Sequence, residues 1–398
     1  MQQLTSVEEA KALILDHIEN FGIEEVSFTQ SQNRVLAEAI YADRDFPPFD
    51  RVSMDGIGLS FEVFESGQRE FKVEGIQPAG SPQLILKDKA NCIEVMTGAI
   101  LPEGCDVVIP YEEVEIEGGI ARVQIEETSF FKNIHKQGKD QQKGDLIIFE
   151  NTLISPAEIG VITTVGKTTV KVRKFPKVMI VSTGDELVDV HETPADYQIR
   201  RSNVYTLVGL LERLHIPADV AHIDDDKSVL KETIAGFFDT YDVLLFSGAV
   251  SKGKFDYLPE VLDELGVEKK FHRVGQRPGK PFWFGKKAEK TVFAFPGNPI
   301  STYVNCVKYF YPWVRKCLDL PRENVEVVLG EDVNFKPNLT YFLQVKIKFD
   351  QGRMIAYPVQ GNGSGDLANL VKADGFVEFI AGKDLYKAGE VVQFIGYR

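Results

Sequence analysis

The chain has few of the side chains that build metal clusters and disulfide frameworks. Its 398 residues include only four cysteines (Cys92, Cys105, Cys306 and Cys317) and six histidines. The cysteines are too scattered for a metal knuckle or a redox pair, and no two histidines form an i, i+4 pair on a helix. We therefore expect buried or incidental thiols and no zinc site.

Long hydrophobic runs and an excess of positive charge are also missing. No stretch approaches the roughly 20 apolar residues that a membrane-spanning helix needs, and the first residues are not a basic segment followed by an apolar one. The 45 lysines and arginines are outnumbered by 59 aspartates and glutamates, which gives a net charge of -14. An average field of that sign repels nucleic acids and anionic membranes. These absences predict a cytoplasmic protein that binds neither.

What the sequence does contain is three short apolar segments that each run into a loop of glycine, hydroxyl and charged residues. The segments and their loops are 177–181 with 182–187, 243–246 with 247–256, and 292–295 with 296–299. Uninterrupted apolar runs are typical of strands buried on both faces, and the helical patterns between them favour a parallel sheet. Open α/β sheets bind ligands at the carboxyl ends of their strands. The sequence therefore predicts a binding site at that edge.

The first half of the chain reads as helical regions around a β-rich one. Residues 5–22 predict an amphipathic helix that ends at Gly22. From residue 57 to 125 apolar residues recur at every second position instead, which predicts short β-strands. A hairpin is predicted with Gly118-Gly119 at its turn. A second helix is predicted over residues 155–165, so the β-rich region is inserted between helical segments.

The second half reads as an α/β region followed by an all-β region. The α/β region begins near Lys177, and helices are predicted to start near Asn203, near Asp225 or Asp226, and at Asn298. After Pro321 only short strands are predicted. The fold class expected is therefore multidomain α/β plus β, with a mostly parallel central sheet.

Two of the loops have the composition of anion sites. Pro296-Gly297-Asn298-Pro299 places an N-cap residue before a proline at the first helical position, so the helix N–H groups and dipole could bind an anion. A well-capped helix without a ligand is the alternative. Ser247, Gly248 and Ser251 could cradle an anion with N–H and hydroxyl groups, although this loop lacks the ending of a nucleoside-triphosphate loop.

Basic residues gather on or near these loops although the chain as a whole is acidic. They are Lys252, Lys254, Arg273, Arg277 and Lys280. A local basic cluster in an acidic protein favours a small anionic ligand. A solvated charged surface is the alternative for each residue.

Carboxylates close to the same loops could hold a metal ion. Asp256 follows the second loop, and a carboxylate beside a phosphate site is explained by Mg²⁺, without which it would repel the ligand. Glu186, Asp185 and Asp225 could join it, with surface solvation or helix capping as the alternative. Far upstream, a proline-rich segment before Gly56 is expected to form a rigid loop that presents Asp55.

Motifs spread over nearly the whole chain occur in a recognisable order. They are Ser53–Gly56, Met96–Ala99 with Leu101–Asp106, Gly138–Asp140, Ser182–Leu187, Ser202-Asn203, Ser247–Asp256, Arg277–Pro281 and Pro296–Pro299. This order resembles that of the molybdopterin molybdotransferases, the family of bacterial MoeA proteins and the carboxy-terminal domain of gephyrin.

The resemblance implies an activity and an architecture. The implied reaction inserts molybdate into the dithiolene of adenylylated molybdopterin, with Mg²⁺ present and AMP released. The implied assembly is an elongated homodimer with a shared active site, in which the α/β domain of one subunit faces the β-rich domain of the other. The implied domains are a linking domain (1–44 and 141–176), an inserted β-rich domain (45–140), a three-layer α/β domain (177–322) and a small β-barrel domain (323–398).

The resemblance also implies site residues, motif by motif. They are Asp55, Thr97, Asp140, Glu186, Asp225, Asp256, Arg273, Arg277, Lys280, Pro296, Gly297 and Pro299. Asp55, Glu186 and Asp256 are the catalytic candidates, and Asp256, Glu186 and Asp225 are the metal-ligand candidates. Ser247, Gly248, Ser251 and Asn298 join the substrate-binding candidates because of their loop chemistry.

The chain departs from the family pattern in places, and two other functions stay open. Ala249 stands where a second glycine is usual, and the turn at Gly361–Gly365 resembles that of the family without its usual basic and hydroxyl ligands. One alternative is a molybdopterin adenylyltransferase, whose fold resembles residues 177–320 but which needs none of the other domains. The second is a non-catalytic dimeric scaffold. A separate adenylyltransferase could also be a partner of this protein.

Overall fold

The computed structural model describes residues 4–248, 250, 256–321 and 324–398, and the chain divides into two compact units. The larger unit comprises the residues up to Glu25, Asn33–Val35 and Lys171–Arg398. The smaller unit comprises Val26–Gln32 and Leu36–Val170. Each unit is described by itself below.

The helices found in these ranges are α1 (Val7–Leu15), α2 (Phe61–Glu65), α3 (Pro156–Thr164), α4 (Asn203–Glu212), α5 (Lys227–Thr240), α6 (Leu258–Glu264), α7 (Pro299–Asn305), α8 (Tyr311–Cys317) and α9 (Leu367–Leu370). A π-helical segment, Cys306–Phe310, joins α7 to α8. Within the described part of the chain, no helix has both the length and the apolar character to span a membrane.

The strands up to residue 173 are β1 (Ile23–Ser27), β2 (Ile40–Tyr41), β3 (Arg51–Val52), β4 (Gly56–Leu59), β5 (Glu70–Gln77), β6 (Cys92–Val95), β7 (Val107–Pro110), β8 (Val114–Glu117), β9 (Ile120–Val123), β10 (Ile134–His135), β11 (Leu146–Ile148) and β12 (Thr169–Arg173). The later strands are β13 (Val178–Thr183), β14 (Leu187–Val188), β15 (Ile199–Arg200), β16 (Ala218–Ile223), β17 (Val243–Ser247), β18 (Glu268–His272), β19 (Gln276–Arg277), β20 (Trp283–Lys287), β21 (Lys290–Phe295), β22 (Val325–Leu329), β23 (Val333–Asn334), β24 (Thr340–Asp350), β25 (Arg353–Pro358), β26 (Gly375–Phe379), β27 (Leu385–Tyr386) and β28 (Val391–Gly396).

A six-stranded sheet in the order β16-β13-β17-β21-β20-β18 lies in the larger unit. Strands β16, β13, β17 and β21 pair in parallel, and β20 pairs antiparallel with β21 and with β18, so the predicted mostly parallel sheet is confirmed. Successive residues alternate between two apolar clusters. Val178 and Ile180 pack in the cluster that contains residues of α1, α4 and α8, whereas Met179 and Val181 pack with α5 and α6. Burial on both sides explains why these strands are uninterrupted apolar runs.

The strand register places the three predicted loops side by side. Ser182 lies opposite Ser247, and Ser247 lies opposite Phe295. Since these strands run in the same direction, the loops that follow them leave the sheet at one edge. The prediction that the loops share an edge is therefore confirmed.

The carboxy-terminal strands of the larger unit form a closed barrel. Strands β24, β25, β22, β28 and β26 follow each other in the sheet, and β26 pairs back to β24. Apolar side chains such as Val345, Val377 and Phe379 fill the interior. Strand β19 joins the barrel to the preceding region, because Gln276 pairs with Thr340 of β24 in parallel. The predicted β-barrel is confirmed.

A mixed six-stranded sheet in the order β7-β4-β6-β5-β9-β8 dominates the smaller unit. Its core contains Ile57, Leu59, Phe71 and Ile109. The predicted hairpin is confirmed, since β8 and β9 pair antiparallel around Gly118-Gly119. Helix α3 begins after Ser155, which forms a capping box with Glu158.

Helix α1 is shorter than the sequence pattern predicts. Ser6 caps it by accepting from the backbone N–H of Glu9, and the helix ends at Leu15, so the prediction of a helix to residue 22 was wrong. The buried face consists of Val7, Ala10, Ile14 and Leu15, whereas Ile18 is 45% exposed. Ile18 continues the apolar spacing but packs against no core, so tertiary contacts do not extend the helix that far.

Candidate functional site

Carboxylates collect where β13 and β16 end. The side chain of Asp185 accepts from the backbone N–H of Asp225 at 2.9 Å, which joins the two loops. Burial raises the pKa of Asp225, and the negative charges of Asp185, Glu186 and Asp256 raise it further. The predicted metal-ligand candidates Glu186, Asp225 and Asp256 thus lie in one electrostatic neighbourhood.

Asp226, next to Asp225, has a different role. Its carboxylate caps α5 by accepting from the backbone N–H groups of Ser228 and Val229 at 2.8 and 2.9 Å. The Ser228 hydroxyl also donates to this carboxylate, and it and the two N–H groups lower the pKa of Asp226. The cap that the sequence assigned to Asp225 or Asp226 therefore belongs to Asp226, and capping does not account for Asp225.

The loops after β17 and β21 are tied together by Asn203, the first residue of α4. Its side-chain nitrogen donates to Ser247 Oγ at 2.9 Å and to the carbonyl oxygen of Gly297 at 2.7 Å. The loops also approach closely at two glycines, because a Cβ on Gly297 would lie 3.9 Å from the Cα of Gly248. The predicted substrate-binding candidates Ser247, Gly248 and Gly297 are therefore neighbours.

Helix α7 begins as predicted, with Asn298 at the N-cap position and Pro299 as its first residue. The side chain of Asn298 makes no capping hydrogen bond. Its side-chain nitrogen donates instead to Ser364 Oγ at 3.0 Å, and the backbone N–H of Ile300 donates to the carbonyl oxygen of Ser364 at 3.1 Å. Ser364, in the turn at 361–365, therefore supplies the acceptor for the N–H of Ile300. In an isolated helix, the N-cap residue would supply the acceptor for an N–H of the first turn.

A cleft of about 540 Å³ lies between this turn, α7 and the barrel. The predicted anion ligands Arg277 and Lys280 line it, together with Asn298. Gly363, Ser364 and barrel residues such as Tyr341 and Leu343 also line it. Two cations facing a pocket of this size provide a binding place for a small anion or a phosphate group.

A buried polar network holds the basic turn that carries Arg277 and Lys280. Gln276, 1% exposed, donates from its side-chain nitrogen to Asn305 Oδ1 at 2.8 Å and to the carbonyl oxygen of Pro278 at 2.9 Å. Tyr309 donates its hydroxyl to Gln276 Oε1. Asn305 completes the network by donating to the carbonyl oxygen of Gly279 at 3.2 Å. The turn is therefore fixed by α7 and the π-helical segment rather than by its own sequence.

Arg273, a third basic residue predicted near the loops, is not among the residues that line the cleft. Arg273 is half-buried, has a φ of 78°, and its backbone N–H donates to the carbonyl oxygen of Phe282 at 2.8 Å. Lys252 and Lys254, like the predicted substrate-binding Ser251, lie outside the described residues. Their roles stay predictions.

The candidates of the smaller unit form a second set. Asp55 is exposed, and its carboxylate accepts from the backbone N–H of Thr97 at 2.6 Å. The N–H and hydroxyl groups of Thr97 lower the pKa of Asp55, so this carboxylate is ionised at neutral pH. Asp140 lies 2.8 Å from Nε2 of His135.

The cysteines are buried or nearly so, as expected from the sequence. Burial raises the pKa of Cys92 and of Cys105 to about 12, and it also raises that of Cys306. Such thiols are poor nucleophiles and poor metal ligands at neutral pH. In the described ranges, no group of three or more histidine, cysteine, aspartate or glutamate side chains is arranged to hold a metal ion.

Sequence reasoning did not assign several residues that shape this region. Asn203 belongs to a motif that the sequence showed, but its apparent role there was only to begin a helix. Gln276 lies immediately before the basic turn in a two-residue strand whose other residue, Arg277, is exposed, so no apolar pattern marked it as buried. The contacts of Asn305, Tyr309 and Ser364 depend on tertiary structure, and no local pattern indicates them.

Comparison with known proteins gives a consistent result over the whole chain. Residues 5–166 match the MoeA N-terminal region (domain I and II), residues 179–316 a probable molybdopterin binding domain, and residues 326–397 the MoeA C-terminal region (domain IV). A molybdopterin molybdenumtransferase of Synechocystis is 40% identical, with 99% of this chain and 100% of the relative covered. One from Staphylococcus aureus is 30% identical, with 93% and 90% covered.

Solved structures agree. A molybdopterin biosynthesis MoeA protein of Pyrococcus horikoshii superposes with a TM-score of 0.85 at 29% identity, and each chain is covered completely. A second structure from that organism gives a TM-score of 0.81 at 26% identity, with 99% of this chain covered. The chain belongs to the MoeA family of molybdopterin molybdenumtransferases.

Proposed function

We propose that this protein inserts molybdate into the dithiolene of adenylylated molybdopterin and releases AMP. The observation that carries the proposal is the match to the Synechocystis molybdopterin molybdenumtransferase at 40% identity over 99% of the chain. The cleft lined by Arg277 and Lys280 supports it, because molybdate and the substrate phosphates are all anions.

Mg²⁺ is the metal ion that this reaction would use. Among the described residues no preformed cage of three carboxylates holds it, but a nearby cation would stabilise ionised Asp225, whose pKa is raised by burial and by neighbouring carboxylates. Mg²⁺ is commonly bound by one or two carboxylates together with substrate phosphates, so a preformed cage is not required. Glu186, Asp225 and Asp256 would provide those carboxylates. When bound, the ion would neutralise charge on the phosphoanhydride and on the departing AMP.

The roles of the protein groups follow from their charges. Arg277 and Lys280 would bind and orient the anionic groups, and the buried Gln276 network would keep them in place before the substrate arrives. Asp55, ionised at neutral pH, would accept a proton or orient a donor rather than deliver one. Hydrolysis of the phosphoanhydride adds water across the P–O–P bond. If water attacks the phosphorus of AMP, AMP carries the water oxygen and the pterin phosphate keeps the bridging oxygen; if water attacks the pterin phosphorus, AMP leaves with the bridging oxygen.

We further propose the assembly and domain division that the family resemblance implies. The subunit has a linking domain (1–44 and 141–176), an inserted β-rich domain (45–140), a three-layer α/β domain (177–322) and a barrel domain (323–398). The enzyme is a cytoplasmic homodimer in which Asp55, Thr97 and Asp140 of one subunit complete the site of the other. A molybdopterin adenylyltransferase would supply its substrate and could dock on it.

Reconstitution with defined components tests the activity. Purified protein is incubated with adenylylated molybdopterin, and AMP release is followed with molybdate and Mg²⁺ present, and with each omitted in turn. We expect release only when both are present. Formation of adenylylated product from ATP and molybdopterin would identify an adenylyltransferase instead. Tight substrate binding without any turnover would favour the scaffold.

A further inference from the structure

The carboxylate of Asp140 is held by a histidine that lies outside the sequence motifs of the family. Nε2 of His135 lies 2.8 Å from Asp140 Oδ1. A carboxylate oxygen accepts, so this imidazole nitrogen carries a proton and donates it to the hydrogen bond. The imidazole is the more buried partner, with 28% of its side chain exposed against 56% for Asp140. The carboxylate thus stays accessible to a ligand while the imidazole supports it.

The position of His135 is itself fixed by a strand ladder. His135 is the second residue of β10, which pairs antiparallel with β3 so that His135 lies opposite Arg51. The backbone N–H of Ser53, which follows β3, donates to the carbonyl oxygen of Asn133 at 3.0 Å and extends the ladder. A side chain that projects from paired strands is placed more precisely than one on a loop.

The loop that carries Asp140 is fixed through its backbone. The N–H of Gly138 donates to the carbonyl oxygen of Pro47 at 3.0 Å, and the N–H of Asp140 donates to that of Phe46 at 2.9 Å. These bonds leave the carboxylate free to rotate. Among the described residues, His135 is the one hydrogen-bond partner of the Asp140 side chain. The orientation of this carboxylate therefore depends on the imidazole.

The same ladder leads to the other predicted carboxylate of the smaller unit. Strand β3 ends at Val52, shortly before Asp55, and β10 ends at His135, shortly before Asp140. The carboxylate of Asp55 accepts from the backbone N–H of Thr97 at 2.6 Å. Each of the two carboxylates is thus oriented by one neighbouring residue, and Thr97 is already a site candidate.

We propose that His135 is a positioning residue for the proposed reaction and that it orients the carboxylate of Asp140 for substrate binding. The inference rests on the proposed function, in which Asp140 belongs to the active site. A carboxylate accepts hydrogen bonds and repels phosphate and molybdate oxygens, so Asp140 binds an N–H or O–H group of the pterin or the nucleotide. The imidazole occupies Oδ1 and leaves Oδ2 for that group. A carboxylate oriented in advance loses less freedom when the substrate binds.

Replacing His135 by residues with and without a hydrogen-bond donor tests this role. KM and kcat are measured for AMP release from adenylylated molybdopterin with molybdate and Mg²⁺. His135→Leu has no donor and should raise KM about tenfold with kcat within about twofold, as expected for lost substrate binding. His135→Gln keeps an N–H donor, and its KM should stay within about threefold of the wild-type value. Melting temperatures should shift by no more than about 3 °C, because a partly exposed pair contributes little stability.

A double-mutant cycle shows whether His135 acts through Asp140. His135→Leu should have no further effect in a protein that already carries Asp140→Ala. His191→Leu is the matched control, since Nδ1 of His191 lies 3.9 Å from Asp189 Oδ1 in the larger unit and 81% of the histidine side chain is exposed. It should leave KM and kcat unchanged.

The outcomes separate this inference from the proposed function. If the wild-type protein releases AMP and His135→Leu does so equally well, His135 has no role and the proposed function stands. Equal losses in His135→Gln and His135→Leu would show that the imidazole itself exchanges a proton with the substrate, which contradicts a positioning role. Additive losses with Asp140→Ala would show a contact that does not involve Asp140, and they contradict it too. If the wild-type protein releases no AMP, the proposed function fails and the inference fails with it.

Discussion

Asp225 and Asp226 are sequence neighbours whose carboxylates have opposite effects on the folded state. Asp226 accepts two backbone N–H groups, and its pKa is lowered. Asp225 is desolvated and surrounded by like charges, and its pKa is raised. A group with a raised pKa opposes folding when it is ionised. Perturbed pKa values of this kind cluster at functional sites, and this is why we propose Asp225, and not the capping Asp226, as a site residue.

We predict that Asp225→Asn stabilises the protein at pH 7 and lowers its activity. The gain in the free energy of unfolding should be no more than about 1 kcal/mol, because the side chain is partly exposed and solvent screens its interactions. The folded-state pKa lies above the ordinary value of 3.8, so the gain should shrink as the pH falls through the raised pKa and vanish below 3.8. Urea unfolding at several pH values measures it.

Asp226→Ala is the matched control for this prediction. It removes the cap of α5 and should cost about 1 kcal/mol at pH 7. Activity should be spared at temperatures where the variant is folded. Loss of stability in Asp225→Asn, or equal loss of activity in both variants, would remove Asp225 from the site.

At the scale of single elements, α7 and the π-helical segment hold the basic turn through Gln276, Asn305 and Tyr309. We predict that Tyr309→Phe leaves Gln276 Oε1 buried without its donor, at a cost of about 1–3 kcal/mol. Because Gln276 also holds Pro278, the turn should loosen, and the affinity for phosphate should fall about threefold or more. Calorimetry with inorganic phosphate measures the affinity, and urea unfolding measures the stability.

Tyr397→Phe provides the comparison for Tyr309→Phe. Tyr397 is 4% exposed, and its hydroxyl donates to the carbonyl oxygen of Leu370 at 3.3 Å. It is not among the residues that line the cleft. Its loss should reduce stability without changing phosphate affinity. If both variants lose stability and neither loses affinity, the network is structural only.

The elements differ in how far the sequence predicts them. Strands β13, β17 and β21 were predicted because a strand buried on both faces has an uninterrupted run of apolar residues in its sequence, and few other elements have such a run. The end of α1 was missed because Ile18 keeps the helical spacing without a core to pack against. The N-cap position of Asn298 was predicted, but the partner of its side chain was not, because Ser364 lies far along the chain. Local patterns thus predicted where elements start, but not which distant residues form hydrogen bonds with the polar groups at their ends.

The same limit applies to the candidate site. Glycine, hydroxyl and carboxylate residues after parallel strands were predictable, because strand direction alone brings Ser247, Gly248 and Gly297 to one edge. Asn203 and Gln276 act through side-chain geometry, and their residue types fit ordinary structural roles equally well. The proline-rich loop indicated Asp55 as an exposed carboxylate, and resemblance to a family gave it a role and added Thr97.

At the scale of the whole molecule, the proposed dimer has a measurable consequence. If Asp55 of one subunit completes the site of the other, subunits with Asp55→Ala and with Asp256→Ala should complement each other. After random exchange, half of the dimers are mixed and each has one intact site of two, so roughly a quarter of the wild-type activity should return. Mass spectrometry verifies the exchange. Complete exchange without recovered activity would place both residues in one subunit's site.

The most direct test of the account is the molybdenum content of the pterin product. Wild-type protein, Asp256→Asn and Asp226→Ala are each incubated with adenylylated molybdopterin, molybdate and Mg²⁺, and molybdenum bound to pterin is measured by mass spectrometry beside AMP. We predict one molybdenum incorporated for each AMP released by the wild-type protein and by Asp226→Ala, and neither product with folded Asp256→Asn. AMP release without molybdenum on the pterin, or full incorporation by Asp256→Asn, would contradict the account.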